Sequence, residues 1–249
     1  MKKKELRCVI LVQARVGSTR LPGKVLKEVL DKPLLQYIVE RLKRVELADE
    51  VVIATTTEKQ DDAIVDFCQA EEIPLFRGKS EDVLDRFYKA ASAFKADVII
   101  RITADCPLID PKLIDEVIHY YLDHYPKYDY VSNSHVRSFP IGMDAEVFSF
   151  KALKEAFQEG SLEEEREHVT PFIYRRPNRY ARHLITHEPD LSHLRLTVDT
   201  QEDFDLIKLL IEELYPHNKE FSMDDILKAL KEHPEWVTIN ANVKQKELR

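Results

Sequence analysis

Glycine is scarce in this chain, with five among 249 residues, and none falls in a G-x-G-x-x-G dinucleotide turn or a G-x-S-x-G nucleophile elbow. H-E-x-x-H is also missing, so a zincin-type metal helix is not supported. Cysteine is limited to Cys8, Cys68 and Cys106, an odd number without C-x-x-C spacing, which argues against a disulfide framework or a zinc site and leads to the expectation of a reducing, cytoplasmic setting. Net positive charge is lacking too: the formal charge is −8, a poor basis for nucleic-acid binding, and any anionic ligand must be captured by local charge. No apolar run approaches the ~20 residues of a membrane span. The opening MKKKELRCVILVQAR is basic and then apolar, but the run is short, has no small-residue cleavage site and continues into Gln13 and Arg15, so it reads as a strand rather than a signal peptide.

What is present suits one α/β domain: 44% hydrophobic and 33% charged residues in a chain long enough for a sizeable core. Apolar runs at Arg7–Val12, Val51–Ala54, Pro74–Arg77 and Asp97–Thr103 alternate with helical patterns opening at Pro33, Asp61 and Ser80, the last taken as a helix cap. This spacing predicts a doubly wound, mostly parallel sheet. Further on, Pro111–Leu122, Glu163–Tyr174, Glu202–Leu214 and Met223–Lys231 read as helices. Tyr128–Ser132, the latter part of Phe139–Phe150, Ala181–His187 and Leu194–Val198 read as strands. The expected division is a single domain over 1–249, with a nucleotide-binding half at about 7–125, a smaller substrate and dimerisation half at about 126–215, and a helix and charged tail at 216–249.

The most informative stretch is Gln13–Lys24, QARVGSTRLPGK, directly after the first apolar run. A strand feeding a loop that carries Arg15, Gly17, Ser18, Arg20, Gly23 and Lys24 presents backbone N–H groups and fixed positive charge at the carboxyl end of a sheet, a triphosphate cradle. It is not a Walker loop, because five residues separate Gly17 from Gly23 and Val25 stands where a Mg²⁺-binding hydroxyl belongs. A solvated basic surface loop is the alternative. Gln13, Thr55, Arg77 and Asp105 each fall at the carboxyl end of a predicted strand, and alternation along the fourth places Arg101, Thr103 and Asp105 on one side. Asp105, before Cys106 and Pro107, suits a Mg²⁺ ligand or equally a turn former, and Asp199, opening TQEDFDLI, suits a metal ligand or a helix N-cap. Cys106 has no identifiable basic partner and reads as a packed thiol rather than a nucleophile.

The motif QAR-x-GSTRLPGK after a first strand resembles the nucleotide-binding signature of the bacterial cytidylyltransferases that make CMP-activated acidic sugars, especially the SpsF branch, and the similarity runs from Cys8 to about Leu206. The resemblance implies a nucleotide-diphospho-sugar transferase (GT-A-like) fold and the coupling of CTP to a sialic-acid-like sugar for surface or spore-coat polysaccharide, with release of pyrophosphate. It implies Mg²⁺ on Asp105 (in TADCPLID) and Asp199 (in VDTQEDF), and a triphosphate held by Arg15, Ser18, Arg20 and Lys24. Gln13, Ala14, Thr55 and Arg77 are implied around the cytosine and ribose, and a homodimer built from the second half is implied as well. The related enzymes of the eight-carbon sugar acid carry Gln-Gly-Asp-Glu-Pro where this chain has Thr103-Ala104-Asp105-Cys106-Pro107. FPIGMDAEVF and REHVTPFIY also match the SpsF branch, which points to Asp144, Glu146 and His168 on the sugar side, with Glu167 also orienting the acceptor and Arg137, Arg175 and Arg176 as candidate partners for an acidic group. A histidine in a charged helix is otherwise a surface residue, and paired arginines beside Pro177 otherwise cap a helix end. A glycosyltransferase of the same fold and a silent nucleotide-binding protein are the other two readings.

Overall fold

Continuous apolar runs become the buried strands of a sheet, and the computed structural model, which describes residues 6–245, shows three of them side by side with a fourth, half-buried strand at the edge. The strands are β1 (Cys8–Gln13), β2 (Glu28–Val29), β3 (Lys32–Pro33), β4 (Glu50–Thr56), β5 (Leu75–Gly78), β6 (Val98–Thr103), β7 (Tyr130–Ser132), β8 (Glu146–Ser149) and β9 (Arg182–Leu184). The helices are α1 (Leu34–Leu42), α2 (Asp62–Ala70), α3 (Val83–Ala93), α4 (Pro111–Asp123), α5 (Phe150–Glu159), α6 (Glu163–His168), α7 (Pro171–Tyr174), α8 (Gln201–Leu214) and α9 (Met223–Glu232). One seven-stranded sheet runs β5-β4-β1-β6-β8-β7-β9, and β2 and β3 form a small separate hairpin. β5, β4, β1 and β6 are parallel, whereas β8 runs antiparallel to both β6 and β7. This is the expected α/β, mostly parallel sheet flanked by helices.

Helices cover both faces. α1, α2, α4, α8 and α9 pack a large core with Ile10, Val12, Ile53 and Ile100, and α3, α5 and α7 pack a smaller one with Val9, Leu11, Val52 and Ile99. The odd and even residues of β1 therefore serve different cores, as strand alternation requires. At the carboxyl ends the same alternation places Gln13 and Arg101 together, and the Arg101 guanidinium donates to Gln13 Oε1 at 3.3 Å.

Several sequence expectations are corrected. Leu194–Val198 is not a strand: only Arg195 bridges, to Ile141, and the segment instead crosses the sheet's carboxyl edge. The strand expected to reach Phe150 stops at Ser149, whose hydroxyl caps the unexpected helix α5. Ser80 does not cap α3; Asp82 does, accepting from the Asp85 N–H at 2.9 Å. Glu163–Tyr174 breaks into α6 and α7 at Val169, which has φ 70°. At Gly142, φ is 105° and an added Cβ would meet the Leu196 carbonyl oxygen at 2.5 Å, so glycine lets this loop lie directly on the crossing segment. The expected charged tail includes residues 246–249, which lie outside the described residues.

Candidate active site

The Gln13–Lys24 loop leaves β1 and is anchored from below. Its Val16 N–H donates to Asp61 Oδ1 at 2.6 Å, and the buried Asp61 also accepts from the Thr56 hydroxyl. Gly23 adopts φ 71°, closing the loop with its N–H on the Val16 carbonyl at 3.1 Å. A side chain at Gly17 would strike the Gln60 amide at 2.8 Å. Arg15 and Arg20 reach outward as exposed groups, whereas Lys24 turns in and is only 6% exposed.

The Lys24 ammonium gathers the site. Nζ lies 2.8 Å from Asp105 Oδ1, 2.8 Å from Asp199 Oδ1 and 2.7 Å from the Val198 carbonyl. Asp199 is further paired with Arg20 at 3.0 Å and with Arg195 at 2.7 Å, and Arg195 also holds Asp203. The crossing segment is strapped to the turn after β6, with the Val198 N–H and the Thr197 hydroxyl both donating to the Asp105 carbonyl, at 2.7 and 3.0 Å. Burial opposes charge on Lys24, but Asp105 and Asp199 outweigh it and raise its pKa. Burial likewise pushes the Asp199 carboxyl up, yet Lys24, Arg20 and Arg195 together hold it below the usual range. For Asp105, burial wins over Lys24 and the pKa is raised.

Asp199 does not cap α8, since Thr200 does, and Asp105 sits in the turn after β6, yet both carboxylates turn to one shared cation. Among the described residues no three His, Cys, Asp or Glu side chains cluster as a metal site. Two carboxylates already meeting on one cationic nitrogen nevertheless fit Mg²⁺, which takes one or two carboxylates and fills its remaining positions with phosphate oxygens and water.

The other expected residues spread along the same edge. Ala14 is buried behind the loop. Thr55 is fully buried with a hydroxyl that has no partner among the described residues. Thr103 lies 3.3 Å from the Cys106 sulfur, and burial pushes the Cys106 thiol up to about 12, which agrees with an inert packed thiol. Ser18 Oγ accepts from the Leu21 N–H at 3.3 Å within the loop. Arg77 is not brought to the Lys24 cluster; it pairs with Asp62 at 2.9 Å and donates to the Thr56 and Glu58 carbonyls. Asp105 lies past the end of β6, in a turn closed by the Cys106 N–H on the Thr103 carbonyl, so strand alternation does not govern its direction.

On the other side of Gln13, Arg101 links to a second cluster. Glu146 is buried, with Oε2 on Arg101 and Oε1 accepting from the Tyr130 and Thr170 hydroxyls, both at 2.6 Å. Asp144 is held by Arg137 at 3.1 Å, and its pKa is raised because burial exceeds that attraction. His168 ends α6 with Nε2 3.8 Å from Glu167. Arg175 and Arg176 pair with Glu164 and Glu165, tying α7 to α6. The sequence reading missed Asp61, Arg195 and Tyr130; only Arg195, a lone cation inside LRLTV, carried a visible signal.

This geometry can be set beside known proteins. A family profile described as cytidylyltransferase matches residues 9–232. The chain belongs to the cytidylyltransferase family. Spore coat polysaccharide biosynthesis protein SpsF of Bacillus subtilis is 35% identical, covering 92% of this chain and 96% of that protein. A protein of Methanocaldococcus jannaschii described as uncharacterized is 39% identical over 98% of both chains. Among solved structures, a cytidylyltransferase from Leptospira borgpetersenii superposes with a TM-score of 0.90 at 33% identity, over 97% of this chain and all of that one. As a member of the cytidylyltransferase family, the chain is a nucleotidyltransferase. No helix among the described residues is long and apolar enough to cross a membrane.

Proposed function

We propose that this cytidylyltransferase couples CTP to a hydroxyl of an acidic, sialic-acid-like sugar, giving a CMP-sugar and pyrophosphate. The observation that carries the reading is the convergence of Asp105 and Asp199 on Lys24 directly beneath a loop bearing Arg15 and Arg20. Arg15, Arg20, Lys24, Ser18 and the loop N–H groups around Gly17 surround the triphosphate and neutralise charge building on the leaving pyrophosphate. Gln13, Ala14, Thr55, Arg77 and Thr103 border the nucleoside. Mg²⁺, when held by Asp105 and Asp199, supplies Lewis-acid polarisation of phosphate oxygens. No covalent enzyme intermediate is needed.

The acceptor side is assigned to Asp144, Glu146 and His168, with Arg101 and Arg137 supplying positive charge for an acidic group. Glu146, with both oxygens taken by protein donors, acts there by orienting its neighbours. The name of the SpsF relative supports a product destined for polysaccharide. A homodimer and a cytoplasmic location, suggested by three free buried cysteines, complete the proposal.

Pyrophosphate release with Mg²⁺, each of the four nucleoside triphosphates and a panel of acidic and neutral sugars tests it. The expected result is release with CTP and an acidic sugar only. Release with another triphosphate, or hydrolysis of a nucleotide sugar without pyrophosphate, contradicts the reading, and the latter favours a glycosyltransferase.

A further inference from the structure

We propose that His135 is the general base of the transfer, its Nδ1 taking the proton of the sugar hydroxyl as that oxygen bonds to the α-phosphorus. The inference rests on the acceptor site assigned above and adds the group that activates the nucleophile there. One proton decides the tautomer of the imidazole. The Tyr130 hydroxyl lies 2.6 Å from Glu146 Oε1 and 2.6 Å from His135 Nε2, and it can donate to only one of them.

Glu146 decides which. Burial favours its neutral form, but Arg101, then His135 and the hydroxyls of Thr170 and Tyr130, hold its pKa below the usual range, so it is a carboxylate. An ionised carboxylate only accepts, and a phenol oxygen 2.6 Å away must donate to it. Tyr130 keeps that proton, since burial first and the Glu146 charge second raise its pKa well above the ordinary value. The phenol oxygen is then left as the acceptor for His135, and Nε2 must carry the imidazole hydrogen. A neutral imidazole has one N–H, so Nδ1 is a lone pair, and among the described residues no hydrogen bond occupies it.

The ring is held in place. Asn133 fixes its loop by donating to the Met143 carbonyl at 2.7 Å and accepting from the Ala145 N–H at 2.8 Å, and the Tyr174 ring packs 4.1 Å from the imidazole. The His135 side chain remains 25% exposed. Glu146, joined through Arg101 to Gln13, connects it to the strand that feeds the phosphate loop.

The groups facing His135 are Glu146 from β8, Arg101 from β6, Arg182 from β9, Tyr130 from β7, Tyr174 from α7 and Arg137 from its own loop. Burial, which exceeds the opposing pull of Glu146 and is reinforced by Arg182, Arg137 and Arg101, places its pKa below the ordinary histidine value, so the ring is neutral and basic at neutral pH. In the step, the hydroxyl oxygen forms a bond to the α-phosphorus, the bond to the bridging oxygen breaks, pyrophosphate leaves with the electron pair, and the proton moves to Nδ1 and then to water. The imidazolium so formed has Glu146 Oε1 3.8 Å from Nε2 to balance it.

His135→Gln tests the assignment, because the glutamine amide still donates to Tyr130 but cannot take a proton. The expected result is a loss of about 10²-fold in kcat, an unchanged CTP-induced rise in Tm, and loss of the acidic limb of the kcat/KM profile, which in the wild type falls as pH drops through the lowered His135 pKa. Nitrogen-15 NMR of the free protein gives a readout independent of turnover, with the Nε2–H tautomer expected. Wild-type kcat in His135→Gln, an unchanged acidic limb or an Nδ1–H tautomer overturns the assignment alone. A wild type silent with every sugar overturns the parent reading and this assignment together.

Discussion

Lys24→Met is expected to lose about 3–5 kcal/mol of folding stability, the usual cost of removing one partner from a buried ion pair, and to lower kcat by about 10²–10³-fold. Methionine preserves the length and packing of the aliphatic stem, so the effect isolates the ammonium. Without it, Asp105 loses the cation at 2.8 Å and the Val198 carbonyl loses its donor, while Asp199 retains Arg20 and Arg195. The asymmetry makes a second expectation: Asp105→Asn in the Lys24→Met background restores part of the stability and none of the activity. Urea unfolding and steady-state pyrophosphate release measure the two quantities. A Lys24→Met protein unfolding within about 1 kcal/mol of the wild type would show that the ammonium is not what holds the two carboxylates together.

Asp105→Asn alone is expected to separate function from stability in the opposite sense. Turnover falls by about 10²–10³-fold, because the charge facing the triphosphate site disappears, while Tm measured without metal stays level or rises. The sign follows from the raised pKa of Asp105. A carboxyl whose pKa is higher folded than unfolded favours folding in its protonated form, and that contribution is lost as pH rises through the unfolded value toward the folded one. At neutral pH its ionised form therefore opposes folding, and a neutral isostere that still accepts from Lys24 removes the opposition. A fall in Tm of several degrees, or near-normal turnover, would contradict the role given to Asp105. A residue retained at a cost to stability is what an active site is expected to contain.

The parallel half of the fold was legible because its signals are local. Cys8–Gln13 and Val98–Thr103 are apolar runs bounded by polar ends, and each became a buried strand with its polar terminus on the ligand edge. The Gln13–Lys24 loop was legible as a candidate site because its charge and glycine pattern occupies consecutive residues. What escaped depends on distant pairing. Leu194–Val198 has strand-like alternation, but the demand of Arg195 for Asp199 and Asp203, and of Lys24 for the Val198 carbonyl, draws that segment across the edge instead of into a ladder. Arg77 is engaged by Asp62 and two backbone carbonyls, partners that periodicity does not reveal. Glu146 stood out as a candidate sugar-side residue, but its partners Arg101, Tyr130 and Thr170 come from other parts of the chain and leave no local trace. His135 had no local signal, since its chemistry follows from where a tyrosine proton five residues earlier must go.

Phosphorus-31 NMR of a reaction containing enzyme, Mg²⁺, CTP and an acidic sugar observes the bond that breaks in the proposed transfer. The three CTP resonances are expected to give way to inorganic pyrophosphate and one phosphodiester resonance in equal amounts. Formation of CDP with a phosphorylated sugar, or persistence of the CTP resonances across the sugar panel, would contradict that transfer.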